Sequence, residues 1–525
     1  MPRHALFVLF IWCASSIFLR AAINPGEVFS PKERAQGYRD KILLAKPRAT
    51  VRPTVKSEEV RHRIRVREVF ARLEDLRVVQ LEADDDIDAA IYRLNATGLY
   101  DFVERDYLYS PDAIPNDPEH ATQWSLNNTG QLTGSTVGAD IKAQTAWDIA
   151  RDAPGVIVAV IDNGVNVAHQ DIAANLWVNP SPTFGDINGA RIVGGVRSGD
   201  ITDQIGHGSH VAGIIGAVGN NGVGIAGVAW RVQLMILKNA GQEGTSATSD
   251  SAACLDYAVA HGAKIVNCSF GGTGFSQTFL TAIRAARNAG VIVVAAAGNE
   301  SSNNDLVARY PANYLSDNIV AVGNSGPTDA LSSSSNYGAT VELAAPGTSI
   351  RSLNFASTTG TVVKSGTSMS APHVTGALAL LKAHFPNDTY RQLINRLLRG
   401  AEIKTSLAGR TVTNGRLNLL RALSTPTNRP FNDDYATRAL ITGSSFALRA
   451  NNVDATTEAG EPAHAGVTAN GSLWCNGSRP VRDLSPSILP AAPTTRFWRC
   501  IPVHLWPGSA TWSRTTTTQA NRPAG

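Results

Sequence analysis

Residues 155–162 read GVIVAVID, an unbroken apolar run that ends on a carboxylate. Three more runs share this character: VQLMIL at 232–237, AKIVNCSF at 263–270 and GVIVVAAAG at 290–298. None alternates apolar with polar residues, so each reads as a strand buried on both faces, the mark of a parallel sheet covered by helices. Helical patterns at 250–261 and 276–289 lie between them. Alternating strands and helices predict an α/β doubly wound, mostly parallel sheet across residues 113–425. In such sheets ligands bind beyond the carboxyl ends of the strands, which directs attention to the residues that close each run.

Asp162 closes the first run. Asn299 follows another, in AAAGNE. His207 stands in GHGSHVAGIIGA at a helix start, and Ser368 in SGTSMSAPHVTGALALL, where Gly366 and the apolar stretch behind it predict a turn into a helix. A serine hydroxyl needs a base to become a nucleophile, histidine supplies one, and a buried carboxylate fixes the imidazole tautomer. A helix N-terminus and a side-chain amide can both donate to a developing oxyanion. Singly, Asp162 reads more readily as a helix cap, His207 as a satisfied polar residue and Asn299 as a turn former. All four at strand ends or helix starts of one α/β unit, in the order Asp, His, Asn, Ser, point to acyl transfer.

These motifs resemble the subtilisin-like serine proteases (peptidase S8), nearest to the secreted thermitase-like branch. The resemblance spans 113–425, from PNDPEHATQWSLNNTGQ at 115–131 to GRLNLLRAL at 415–423. It implies a serine endopeptidase with Asp162, His207 and Ser368 as triad, and Asn299 with the Ser368 N–H as oxyanion hole. It also implies that Ser269, Phe270 and Gly271 line the substrate, that Gly244, Thr245 and Ser246 form a second binding strand, and that Phe270 narrows or stiffens the pocket. For structural calcium it implies the carboxylates of Asp117 and Asp171, Asn221, and the carbonyls of Gly219, Val223 and Ile225. Hard oxygen donors of this kind suit that ion. The chain departs from the family's habit at Asn163, where Thr or Ser is usual, and at Ser209, where Thr is usual. Both substitutes are small and polar, so they bear on rate rather than on the presence of activity.

Outside this stretch the chain changes character. Basic residues precede the uncharged run ALFVLFIWCASSIFL at 5–19, and Arg20 ends it, which predicts a signal peptide over 1–22 and no membrane anchor. Residues 23–112 are the most charged part, a small α+β unit closed by Pro111, Pro115 and Pro118. They resemble the inhibitory, folding-assisting propeptide of these proteases, with cleavage between about 109 and 116. Residues 426–474 resemble the start of a β-rich module, and 475–525 read as frame-shifted or unstructured text. The expected product is a secreted, extracellular, monomeric zymogen that acts on proteins or peptides and is held by its own propeptide. A formal charge of +4 over 525 residues gives no ground for a nucleic-acid partner. Of 5 cysteines, Cys254 and Cys268 are expected to be buried packing residues. The rival from another class is a peptide-binding protein that keeps this fold without its chemistry. Loss of a triad residue would favour it, and none is lost.

Overall fold

The computed structural model describes residues 38–49, 61–108 and 113–434, with Glu33 and short stretches between 439 and 499. The expected signal peptide lies outside the described residues. The chain divides into two compact units, residues 1–111 and 112–525.

Among the described residues of the first unit, a four-stranded antiparallel sheet packs against a helix. Strands β1 (Tyr38–Pro47), β2 (Arg65–Phe70), β3 (Leu76–Gln80) and β4 (Tyr100–Tyr107) lie in the order β2-β3-β1-β4. Helix α1 (Ile87–Ala96) starts at Asp86, whose carboxylate accepts the Ala89 N–H, and packs Ala90 and Leu94 onto Leu43, Val79 and Val103. The strand–helix–strand reading covered β3, α1 and β4. Strands β1 and β2, rich in Arg and Lys, carry too weak an alternation to be seen in sequence.

The second unit is built on a ten-stranded sheet. Its strands are β5 (Asp152–Asp162), β6 (Gly189–Val193), β7 (Val196–Ser198), β8 (Arg231–Lys238), β9 (Ile265–Cys268), β10 (Ile292–Ala296), β11 (Ile319–Ser325), β12 (Leu343–Pro346), β15 (Glu402–Ile403) and β16 (Gly415–Arg416). The order is β15-β16-β12-β11-β10-β9-β5-β8-β6-β7, and every pairing is parallel except those of the outermost strands β7 and β15. Alternate residues along β5 serve two cores. Val158 and Val160 face α2 (His207–Gly216) and α5 (Thr367–His384), whereas Ala159 and Ile161 face α3 (Thr248–Ala260) and α4 (Gln277–Asn288). Burial on both faces accounts for the unbroken apolar text of these strands. Cys254 and Cys268 are buried, unpaired members of the second core.

Strand β5 pairs with β8 on one side and β9 on the other, so the strand order reverses there. The crevice at that switch point opens at Asp162. A hairpin of β13 (Ile350–Leu353) and β14 (Thr361–Lys364) then leads into α5. After α6 (Tyr390–Gly400) and α7 (Leu419–Ser424), strands β17 (Ala439–Thr442), β18 (Trp474–Ser478) and β19 (Phe497–Arg499) form a small separate sheet. The last two fall where the sequence reads as frame-shifted or unstructured; the rest of that reading lies outside the described residues.

Candidate active site

Asp162 is 5% exposed at the end of β5, and its carboxylate spans Nδ1 of His207 at 2.8 and 3.0 Å. This contact puts the imidazole proton on Nδ1 and leaves Nε2 as the lone-pair nitrogen. No described residue bonds Nε2. Burial pulls the His207 pKa down, but the charge and hydrogen bond of Asp162 outweigh it, so the imidazole titrates above its ordinary value of 6.5. The charge of Lys364, on β14, works against that rise.

Helix α2 starts at His207 because of a residue the sequence reading passed over. Asp203 accepts the N–H groups of Ile205, Gly206 and Ser209 and the Ser209 hydroxyl. It therefore takes one N–H of the first turn, that of Ser209, and fixes the loop that enters the helix. Ser209, the departure from family habit, also receives the Asn166 N–H at 3.0 Å. At Asn163, the backbone N–H donates to Asp162 Oδ1 at 2.8 Å.

Ser368 is the second residue of α5. Pro372 sits four residues on and has no N–H to give, so the Ser368 carbonyl lacks its usual intrahelical donor. The Ser269 hydroxyl donates to it instead at 2.9 Å, and the Ser368 hydroxyl donates to the Ser269 carbonyl at 2.9 Å. The nucleophile candidate is thus turned onto the end of β9 rather than onto His207. Catalytic hydrogen bonds are often long or absent without substrate, so this orientation does not exclude Ser368 as the group whose proton Nε2 accepts.

The two donors expected of the oxyanion hole are the Ser368 N–H and the Asn299 NH2. The Ser368 N–H, in the first turn of α5, is bonded to no described residue. Asn299 follows β10, and its Oδ1 accepts both the N–H (2.9 Å) and the hydroxyl (3.1 Å) of Thr367. A backbone N–H can only donate, so the atom facing it is oxygen and the Asn299 NH2 points the other way.

Of the expected substrate residues, Ser269, Phe270 and Gly271 prolong β9 past its last sheet pairing, and Gly272 pairs with Tyr310 through two hydrogen bonds of 2.7 and 2.9 Å. The Phe270 ring stacks on Phe279 of α4 at 6.4 Å, in the apolar core on that face. Residues 244–246 do not form the expected strand. Gly244 lies in a turn with φ +73°, and Ser246 makes a single bridge to Ala240. The cause is local: the Gly241 carbonyl accepts the Gly244 N–H and closes the chain on itself.

The profile of the Subtilase family (peptidase S8) matches residues 153–433, more than half of the chain. The chain belongs to this family. A thermophilic serine proteinase of Bacillus sp. strain AK1 is 33% identical over 341 residues, covering 64% of this chain and 76% of its own. Thermitase of Thermoactinomyces vulgaris is 35% identical over 287 residues, or 54% of this chain and 93% of its own. A solved structure of proteases from Pseudoalteromonas arctica PAMC 21717 is 30% identical, covers 59% of this chain and 98% of its own, and has a TM-score of 0.49. This subtilase is accordingly a serine endopeptidase with the α/β fold expected, and thermitase among its relatives is consistent with that branch.

The loop expected to hold calcium has a distinct chemistry in this subtilase. Asp171 is fully buried; its carboxylate accepts only neutral donors, the Asn221 NH2 at 2.9 Å and the Ile225 N–H at 2.9 Å. Burial, with added repulsion from Asp117 and Glu119, pushes its pKa up to about 7. Asp117 accepts the N–H groups of Asn220 and Asn221 at 2.7 and 3.1 Å. The Asn221 oxygen, expected to be a ligand, accepts the Val223 N–H at 2.8 Å. The carbonyls of Gly219, Val223 and Ile225 receive no hydrogen bond from a described residue. Among the described residues no three His, Cys, Asp or Glu side chains converge, so a cation here rests on two carboxylates with neutral oxygens. Two buried carboxylates without a cationic partner, beside three free carbonyls, suit a hard divalent ion.

Proposed function

We propose that this subtilase is secreted as a zymogen and cleaves proteins or peptides through Ser368, His207 and Asp162. The contact of Asp162 with His207 Nδ1 at 2.8 Å carries the reading, since it defines which nitrogen can act as base. His207 Nε2 takes the Ser368 proton as Oγ bonds to the scissile carbonyl carbon. The carbonyl oxygen, now an oxyanion, is met by the Ser368 N–H and the Asn299 NH2, an effect worth about 10²–10³ in rate per donor. His207 then gives its proton to the leaving amine, and the C–N bond breaks to leave an acyl-enzyme. Water, deprotonated by His207, releases the acid and restores Ser368. An extended substrate lying along residues 269–271 gains main-chain hydrogen bonds by strand addition.

In this proposal calcium is held by Asp117, Asp171, a turned Asn221 amide, and the carbonyls of Gly219, Val223 and Ile225. It supplies charge neutralisation to a loop that otherwise buries like charges, and takes no part in the bond-breaking step.

Residues 23–112 act as the propeptide, a role supported by the sheet and helix among their described residues and by the division of the chain after Pro111. Secretion is supported by relatives named extracellular, among them the extracellular basic protease of Dichelobacter nodosus, together with the residue pattern of 1–22. Among the described residues no helix is long and apolar enough to cross a membrane. In this proposal the enzyme acts as a monomer. Expression of the full chain and of Ser368→Ala tests this reading. The parent is expected to lose its first unit by a cut between about 109 and 116, and the variant to accumulate uncut. Equal processing of both by the purified protein would remove the self-activating zymogen.

A further inference from the structure

The Asn299 side chain is oriented by Thr367, but its backbone is held from the opposite side by groups that the catalytic steps do not use. The Asn299 N–H donates to Glu300 Oε2 at 3.0 Å, and the Asn336 NH2 donates to the same oxygen at 2.8 Å. Glu300 Oε1 receives Nη2 of Arg309 at 2.6 Å. The Asn336 oxygen in turn accepts the N–H groups of Glu300 and Ser302. This carboxylate lies directly over Gly298, which has φ +113°; a Cβ there would stand 2.7 Å from Glu300 Oε2 and 2.3 Å from Asn336 Nδ2. The turn that presents Asn299 is therefore wrapped around the Glu300 carboxylate rather than merely next to it.

Arg309 connects this turn to the other wall of the cleft. It precedes Tyr310, whose N–H and carbonyl both pair with Gly272, immediately beyond the proposed substrate-lining residues. We propose that the Glu300–Arg309 pair is a positioning device for the oxyanion amide, tying the Asn299 turn to the Gly272–Tyr310 bridge so that the amide and the substrate backbone keep one spacing. The inference rests on the reading of Asn299 as an oxyanion donor. Glu300 and Arg309 side chains are 44% and 20% exposed, and ion pairs this open to solvent add little to stability. Their value is geometric, because an oxyanion donor acts only where the oxygen develops, and a displacement near 1 Å can cost up to about 100-fold.

The test is a cycle of Glu300→Ala and Asn299→Ala, with Glu300→Gln as the conservative variant. Each is assayed on a peptide p-nitroanilide, with active sites counted by a fluorophosphonate at saturation and folding checked by thermal unfolding. Glu300→Ala is expected to lower kcat about 10-fold with KM within about 2-fold and an unchanged unfolding midpoint. Glu300→Gln keeps an oxygen for the Asn299 N–H and should recover most of that loss. In the Asn299→Ala background the substitution at 300 should have no further effect, since the group it positions is gone. Equal losses in both backgrounds, or an unchanged kcat in Glu300→Ala beside a large loss in Asn299→Ala, would overturn the positioning role alone. If Asn299→Ala itself leaves kcat unchanged, the oxyanion reading falls and the proposal with it.

Discussion

Replacing Arg449 by Met should destabilise the catalytic unit more than any surface change. Arg449 lies beyond the last helix of the unit, yet its guanidinium meets Glu342 next to β12 at 2.9 and 2.6 Å, and both side chains are 3% exposed. The same group donates to the carbonyls of Ala312, Tyr314 and Thr340. Glu342 Oε2 also accepts the Ala321 N–H at 2.6 Å, so the pair is joined to β11 in the central sheet. Removing one partner of a buried pair costs about 3–5 kcal/mol, because the other charge stays buried and uncompensated. At roughly 2–4 °C per kcal/mol for a unit of this class, the midpoint should fall by about 6–20 °C.

The sign of the pH dependence follows from Glu342. Burial already raises its pKa above the ordinary 4.5 despite Arg449, and without Arg449 it rises further. A carboxyl whose folded pKa is raised favours folding most below its unfolded value, and that contribution fades as pH climbs through the folded value. The deficit of Arg449→Met should therefore be smaller near pH 5 than at pH 8. Urea unfolding in a Ser368→Ala background, which prevents self-digestion, measures it. The Glu342→Gln/Arg449→Met double variant should recover a large part of the loss. A deficit below about 1 kcal/mol, or one that does not vary with pH, would refute the claim that this pair is buried and coupled.

Two further outcomes follow from the site. Lys364→Met removes a positive charge that lowers the His207 pKa. Since activity needs the neutral imidazole, the acid limb of kcat/KM should move to higher pH, and a shift to lower pH would contradict the arrangement. Asp162→Asn keeps the shape but loses the acceptor that fixes the Nδ1 proton, so kcat should fall about 10⁴-fold at pH 7 with the fold retained, as circular dichroism and stopped-rate assays would show.

The sheet was legible because its strands are buried on both faces, so Val158 to Ile161 and Val291 to Ala295 carry no polar residue to blur them. The site residues were legible for a related reason: a parallel sheet puts chemistry at strand ends, and Asp162 and Asn299 stand there in plain text. What escaped the sequence was long-range pairing. Nothing local marks Glu300 as the partner of Arg309, or Arg449 as the partner of Glu342 across more than a hundred residues. Residues 244–246 hold a turn and a single bridge because the Gly241 carbonyl accepts the Gly244 N–H, and the Asn221 amide bonds Asp171 and the Val223 N–H, contacts that no local pattern announces. Strands β1 and β2 were missed because charged residues occupy both faces of their pattern.

Everything proposed for the cleft depends on Ser368 being a nucleophile activated by His207. Incubating the purified, processed protein with a fluorophosphonate and mapping the adduct by mass spectrometry tests it most directly. One adduct is expected, on Ser368, absent from Ser368→Ala and slowed when His207 is replaced by Ala. Folded protein that takes up no label, or takes it up elsewhere, would contradict the account and favour a peptide-binding role for the cleft.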